Sequence, residues 1–113
     1  MFCHEKLDVY HKAVEFLGVM HRLIRALPPG NSDVINQLRR AVMSVPLNLA
    51  EGAGKTGKAN KQRFYSIARG SALECAAILD VLCIWELVSP DKLKHERALL
   101  EQIVAMASAL ALR

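Results

Sequence analysis

Apolar residues recur along most of this chain at three- and four-residue steps, the spacing that puts side chains on one face of a helix. Leu7, Tyr10, Val14, Leu17, His21 and Ile24 make the first stripe, widened by Ala13, Met20 and Leu27. It predicts a helix over about residues 6–27. Pro28, Pro29 and Gly30 close it, because proline lacks the amide proton that the helix ladder needs. Leu38, Ala41, Val42, Val45 and Leu49 make the second stripe and predict a helix over about residues 33–51, with Asn31 or Ser32 as N-cap. Pro46 falls inside it. The apolar spacing stays in phase across the proline, which predicts a kink rather than a break.

Gly52, Gly54 and Gly57 predict the turn into a third helix, over about residues 58–88. Phe64, Ala68, Ser71, Cys75, Ile78, Leu82 and Trp85 mark its core face. Leu73, Ala76, Leu79, Val81, Cys83, Ile84 and Leu87 point elsewhere, so its second half is apolar almost all round. A helix apolar on several faces is buried on several faces. In a chain of 113 residues the extra face predicts contact with another subunit. Ser89-Pro90-Asp91 suits the start of a fourth helix, whose stripe is Leu93, Leu100, Ile103, Ala107 and Leu110. Nothing reads as a strand. The prediction is all-α: an antiparallel up-and-down four-helix bundle, one domain over residues 1–113, with a proline kink in its second helix.

Composition strengthens the case for self-association. Hydrophobic residues make up 52% of the chain, more than a small soluble monomer hides easily. Cys3, Cys75 and Cys83 are odd in number and lack metal-ligand spacing, so they are neither a disulfide framework nor a zinc site. Cys75 and Cys83 lie in an apolar run and read as core thiols. No apolar run is long enough to cross a membrane, and MFCHEKLDVYHK has no signal-peptide pattern, so a cytoplasmic location is expected.

Charge is distributed unevenly. The stretch from Gln37 to Glu74 holds seven basic residues against two acidic ones, a net of +5, whereas the remainder carries eight against nine. Such a patch attracts phosphate or acidic partners, unless it serves only as a solvated face. On the third helix Lys58, Lys61, Gln62, Tyr65 and Arg69 share one arc. Lysines interleaved with a tyrosine suit a phosphate backbone with a stacking platform. Arg39 and Arg40 extend the patch if the second helix packs alongside, and Lys55 and Arg63 adjoin it. The expected nucleic-acid-binding set is therefore Arg39, Arg40, Lys55, Lys58, Lys61, Arg63, Tyr65 and Arg69.

Other motifs carry less. Gly52–Thr56 spells GAGKT, like the end of a phosphate-binding P-loop, but Leu49 stands where the first glycine belongs and a helix precedes it instead of a strand. Asn48, Glu51, Ser71 and Glu74 lie close to the apolar stripes. They read as a structural polar network with Arg39 or Arg40 as counter-charge, and less well as an acid–base pair of Glu51 and Glu74. His4, His11, His21 and His95 lack the spacing of a metal site, and His21 on its stripe reads as an interior or interface histidine. No catalytic residue, metal or cofactor is expected.

The blocks LDVYHKAVEF, QLRRAVMSVPLNLAEG and RFYSIARGSALE resemble the bacterial family of 23S rRNA intervening-sequence proteins. The matching positions are Leu7, Val9, Tyr10, Lys12 and Ala13; then Gln37 to Ala41, Ser44 to Pro46 and Asn48 to Gly52; then Gly70, Ser71 and Glu74. The resemblance implies an antiparallel bundle that assembles into a pentameric ring. Some members are encoded within inserts in ribosomal RNA genes. Related accessory proteins of diversity-generating retroelements bind a reverse transcriptase and nucleic acid through basic surfaces. The chain departs from the family at Asp33-Val34-Ile35, before the second helix, and at Ala59, Asn60 and Lys61, where it is more basic than the pattern. The resulting expectation is a non-enzymatic homopentamer that binds RNA or DNA. The alternative is an adaptor for a nucleic-acid enzyme such as a reverse transcriptase.

Overall fold

A computed structural model describes residues 1–112 of the chain. Four helices account for most of it: α1 (Asp8–Ala26), α2 (Ser32–Gly54), α3 (Lys58–Ile84) and α4 (Lys94–Ala111). Short 3-10 helices precede α1 (Cys3–Lys6) and α4 (Pro90–Leu93). Each α-helix packs on its neighbour in sequence, and α1 closes the ring of four against α4. Gln37 meets Glu74 and Ser44 meets Ser71, so α2 and α3 run in opposite directions. Arg69 meets Ser108 and Arg97 meets Asp80, so α3 and α4 do the same. The result is the expected four-helix bundle, 44 Å long and about half as wide, with no strand among the described residues. No helix is long and apolar enough to cross a membrane.

Phe16, Met20, Leu38, Leu49, Leu79, Leu82, Leu93 and Ile103 fill the centre. On α1 the buried face is Val9, Ala13, Phe16, Met20 and Ile24, with Val19 beside it. That is one residue, or about 100° of arc, from the predicted stripe. Phe16 is the largest of the fully buried side chains and takes the centre of the bundle. Val14 and His21 are exposed, and with Leu17, Arg39, Val42 and Met43 they line a groove of about 530 Å³ between α1 and α2. His21 is therefore a groove residue and not an interior one.

α2 runs unbroken through Pro46 and three residues past its predicted end. Neither predicted N-cap side chain bonds the helix. Asn31 sits in the left-handed region at φ 58°, and its backbone carbonyl accepts the Ile35 amide instead. Glu96 lies on the buried stripe of α4, with Oε1 lacking a hydrogen-bond partner among the described residues. It stands in the first turn of α4, where the helix dipole favours negative charge. Cys75 is a core thiol, as expected. Burial, and secondarily the charge of Glu74, push its pKa up to about 12, which keeps it neutral and unreactive.

α3 stops at Ile84, four residues before its predicted end. Leu87 N–H bonds the Leu82 carbonyl and Glu86 N–H bonds the Cys83 carbonyl, a Schellman closure. The residue that must turn left-handed is Glu86, at φ 60°, where glycine is usual. Without that glycine the sequence carries no stop signal. The closure turns Trp85 out of the predicted core face, leaving it 56% exposed. Glu86→Gly should relieve a left-handed side chain and raise stability by about 1 kcal/mol, a few degrees in thermal melting. An unchanged or lower melting point would mean that the Glu86 side chain makes an offsetting contact.

Candidate nucleic-acid interface

The α2–α3 hairpin positions the basic residues, and Gly52 sets its geometry. A Cβ at Gly52 would lie 2.7 Å from Tyr65 Cε1 and 3.2 Å from the Lys61 carbonyl oxygen. Only a residue without a side chain lets α3 come this close. Tyr65 is 6% exposed as a result, its ring laid against α2. The expected stacking platform is thus a core residue, while Phe64, expected in the core, is only half-buried.

The last carbonyls of α2 lack partners within the helix. Lys61 Nζ donates to Ala53 O at 2.9 Å and, more weakly, to Gly52 O at 3.4 Å. A lysine expected to face phosphate instead caps the neighbouring helix, where its charge complements the negative end of the α2 dipole. Lys55 forms an exposed ion pair with Glu51 at 3.5 Å, one helical turn back, and its Nζ also lies 5.2 Å from the centre of the Phe64 ring. Arg63 flanks the same ring at 5.9 Å. Lys58 is exposed at the first position of α3, after Gly57, whose φ of 84° makes the sharp turn. The GAGKT motif forms no phosphate cradle, because Gly52 and Gly54 belong to α2 and only Lys55 to Gly57 make the turn.

These residues gather at one end of the bundle: Lys55, Lys58, Lys61 and Arg63. The rest of the predicted patch lies elsewhere. Arg40 is exposed on α2, about 22 Å along the helix from Lys55. Arg39 lines the groove with α1. Arg69 Nε donates to Ser108 Oγ at 2.6 Å, which turns the guanidinium to the α3–α4 seam. The single expected patch is therefore a basic end plus separate mid-bundle arginines.

The polar network is present in part. Ser44 and Ser71 share a hydrogen bond at 2.7 Å, and Asn48 Nδ2 donates to Ser44 Oγ and to the Ser44 carbonyl. This cluster pins α2 to α3 beside Pro46. Glu51 and Glu74 stay outside it. Glu74 accepts from Gln37 Nε2, and Glu51 pairs with Lys55, so neither takes Arg39 or Arg40 as its ion-pair partner. Because Lys61 reaches Gly52 and Glu74 lies 13 residues further along α3, the two carboxylates sit about 20 Å apart along the bundle. That is well beyond the spacing at which a carboxylate pair shares one substrate bond. Among the described residues no cluster of three His, Cys, Asp or Glu could hold a metal ion.

One feature was missed by sequence reasoning. Phe2 and His4 stack at 5.8 Å with an interplanar angle of 8°, and His4 meets Tyr10 edge-on at 4.6 Å. The signal was available as three rings within the first ten residues.

An all-α bundle of four antiparallel helices, with Lys55, Lys58, Lys61 and Arg63 gathered at one hairpin end, defines the class. The chain belongs to the 23S rRNA-intervening sequence protein family, whose profile matches residues 5–109. No curated protein matches it.

Proposed function

We propose that this protein is a non-enzymatic homo-oligomer that binds RNA or DNA at the hairpin end of its bundle. The observation that carries the reading is the first turn of α3. It opens on the exposed Lys58 and holds no acidic residue, at the helix end whose dipole is already positive. Lysine there opposes helix stability by a few tenths of a kcal/mol, so the placement is better explained by an anion outside the protein. Lys55 and Arg63 add to the same field, and Lys58 and Arg63 are the most exposed.

Self-association is supported by apolar surface on opposite sides of the bundle. Val14, Met43 and Leu47 are exposed along α1 and α2. Leu73, Ala76, Leu100, Val104 and Ala105 line a second groove between α3 and α4. The two surfaces differ, so contact between them would be head-to-tail, which forms a ring where the rotation between copies closes, and the ring we propose is a pentamer. Repeating a weak site around a ring raises avidity without new contacts. Ile84, 79% exposed, and Trp85 beside it favour the second reading, an adaptor for a protein partner such as a nucleic-acid enzyme.

A light-scattering mass followed by anisotropy titration with RNA and DNA tests both parts. The expected result is a defined multiple of 12.5 kDa that binds at low salt and releases at high salt. A clean oligomer that ignores both nucleic acids would make the lysines a solubility feature and move the weight to the adaptor.

A further inference from the structure

We infer that the hairpin end takes single-stranded nucleic acid, with one base stacked on the Phe2–His4 ring pair while Lys58 and its neighbours hold the adjoining phosphates. The inference rests on the nucleic-acid reading above and narrows its ligand.

The two features share one end of the molecule. Leu7 lines a surface pocket together with Gly57, Lys58 and Lys61. The 3-10 helix Cys3–Lys6 leads directly into Leu7 and packs on α1 and α2, so the aromatic cluster lies at the same end of the bundle as the lysines. Lys6, exposed on that helix, adds another cation.

The rings form a graded series from core to solvent. Tyr10 is half-buried and packs on the core. His4 leans on it edge-to-face, and Phe2 lies parallel to His4 with 73% of its surface exposed. Phe2 is not a loose terminus. Its amide donates to Glu5 Oε1 at 3.1 Å, and its carbonyl accepts the Glu5 amide at 3.1 Å. The Glu5 carbonyl in turn lies 2.7 Å from His11 Nε2 on α1. A phenylalanine fixed in place with its face to water forgoes the burial that normally justifies an aromatic residue. A base laid on that face would recover it. Duplex bases are already stacked on one another, so the ring pair discriminates in favour of unpaired bases.

An abasic strand separates stacking from charge, because it keeps every phosphate and lacks every base. The test titrates the full chain, tagged only at its C-terminus, with intact single strand, abasic strand and duplex of equal length. The expected result is single-strand binding about tenfold or more tighter than abasic binding. Phe2→Ala should erase that preference, while Phe2→Trp should retain it. Phe2 is exposed, so the fold does not depend on it. Equal affinity for intact and abasic strands, unchanged by Phe2→Ala, would overturn the stacking inference and leave charge-driven binding standing. Binding to none of the three would overturn both.

Discussion

Gly52→Val should lower stability by about 3 kcal/mol, a fall of roughly 10–15 °C in melting temperature for a domain of this size. Even a lone Cβ at this position lies inside the contact distance of Tyr65 Cε1 and Cδ1 and of the Lys61 carbonyl. The tyrosine ring is buried and the carbonyl is backbone, so neither yields cheaply. Valine adds two further methyl groups to that overlap. At Gly54, two residues on, a Cβ would meet nothing within 4 Å, so Gly54→Ala is the control and should be neutral or mildly stabilising. Combining Gly52→Ala with Tyr65→Leu should recover part of the single-variant loss, because the two residues share one contact. A Gly52→Val protein that melts with the wild type would refute the close approach of α2 and α3.

Reversing Lys58 and Arg63 together to glutamate should weaken nucleic-acid binding by about two orders of magnitude at low salt. Both side chains are exposed and neither caps a helix, so the fold should survive. Lys61 is unsuitable for this test. Its ammonium holds the α2 carbonyls, and Lys61→Glu would weaken the hairpin along with any phosphate contact. Reversing Arg39 and Arg40 is the matched control, with the same charge change about 15 Å or more further along the bundle. It should cost far less. Equal losses from the two pairs would show that binding follows net charge rather than the hairpin end.

The four helices and their order were legible because each has its own apolar period, and Pro and Gly residues mark the ends of α1 and α2. The failures have local causes. On α1 both the true stripe and its neighbour are apolar, so periodicity could not choose between Phe16 and Val14 at the centre. The end of α3 was hidden because Glu86 occupies a left-handed position without being glycine. Phe64 and Tyr65 exchanged expected places because adjacent aromatics differ by about 100° on a helix, and what selects Tyr65 is the gap at Gly52 on another helix. Gly52 continues the apolar spacing of Val45 and Leu49, which was the available hint that α2 extends that far. The basic patch was legible as composition. Its division into a hairpin end and separate arginines was not, since Arg69 is redirected by Ser108, 39 residues away.

The central claim is that the exposed cations of the hairpin end touch phosphate directly. The salt dependence of single-strand binding tests it, measured for wild type and for the variant with Lys58 and Arg63 changed to glutamine. Each phosphate contact contributes about −0.7 to the slope of log K against log salt concentration. Loss of both contacts should flatten the slope by about 1.4 for each bound protomer. A weaker variant with an unchanged slope, or a wild-type slope near zero, would contradict the account.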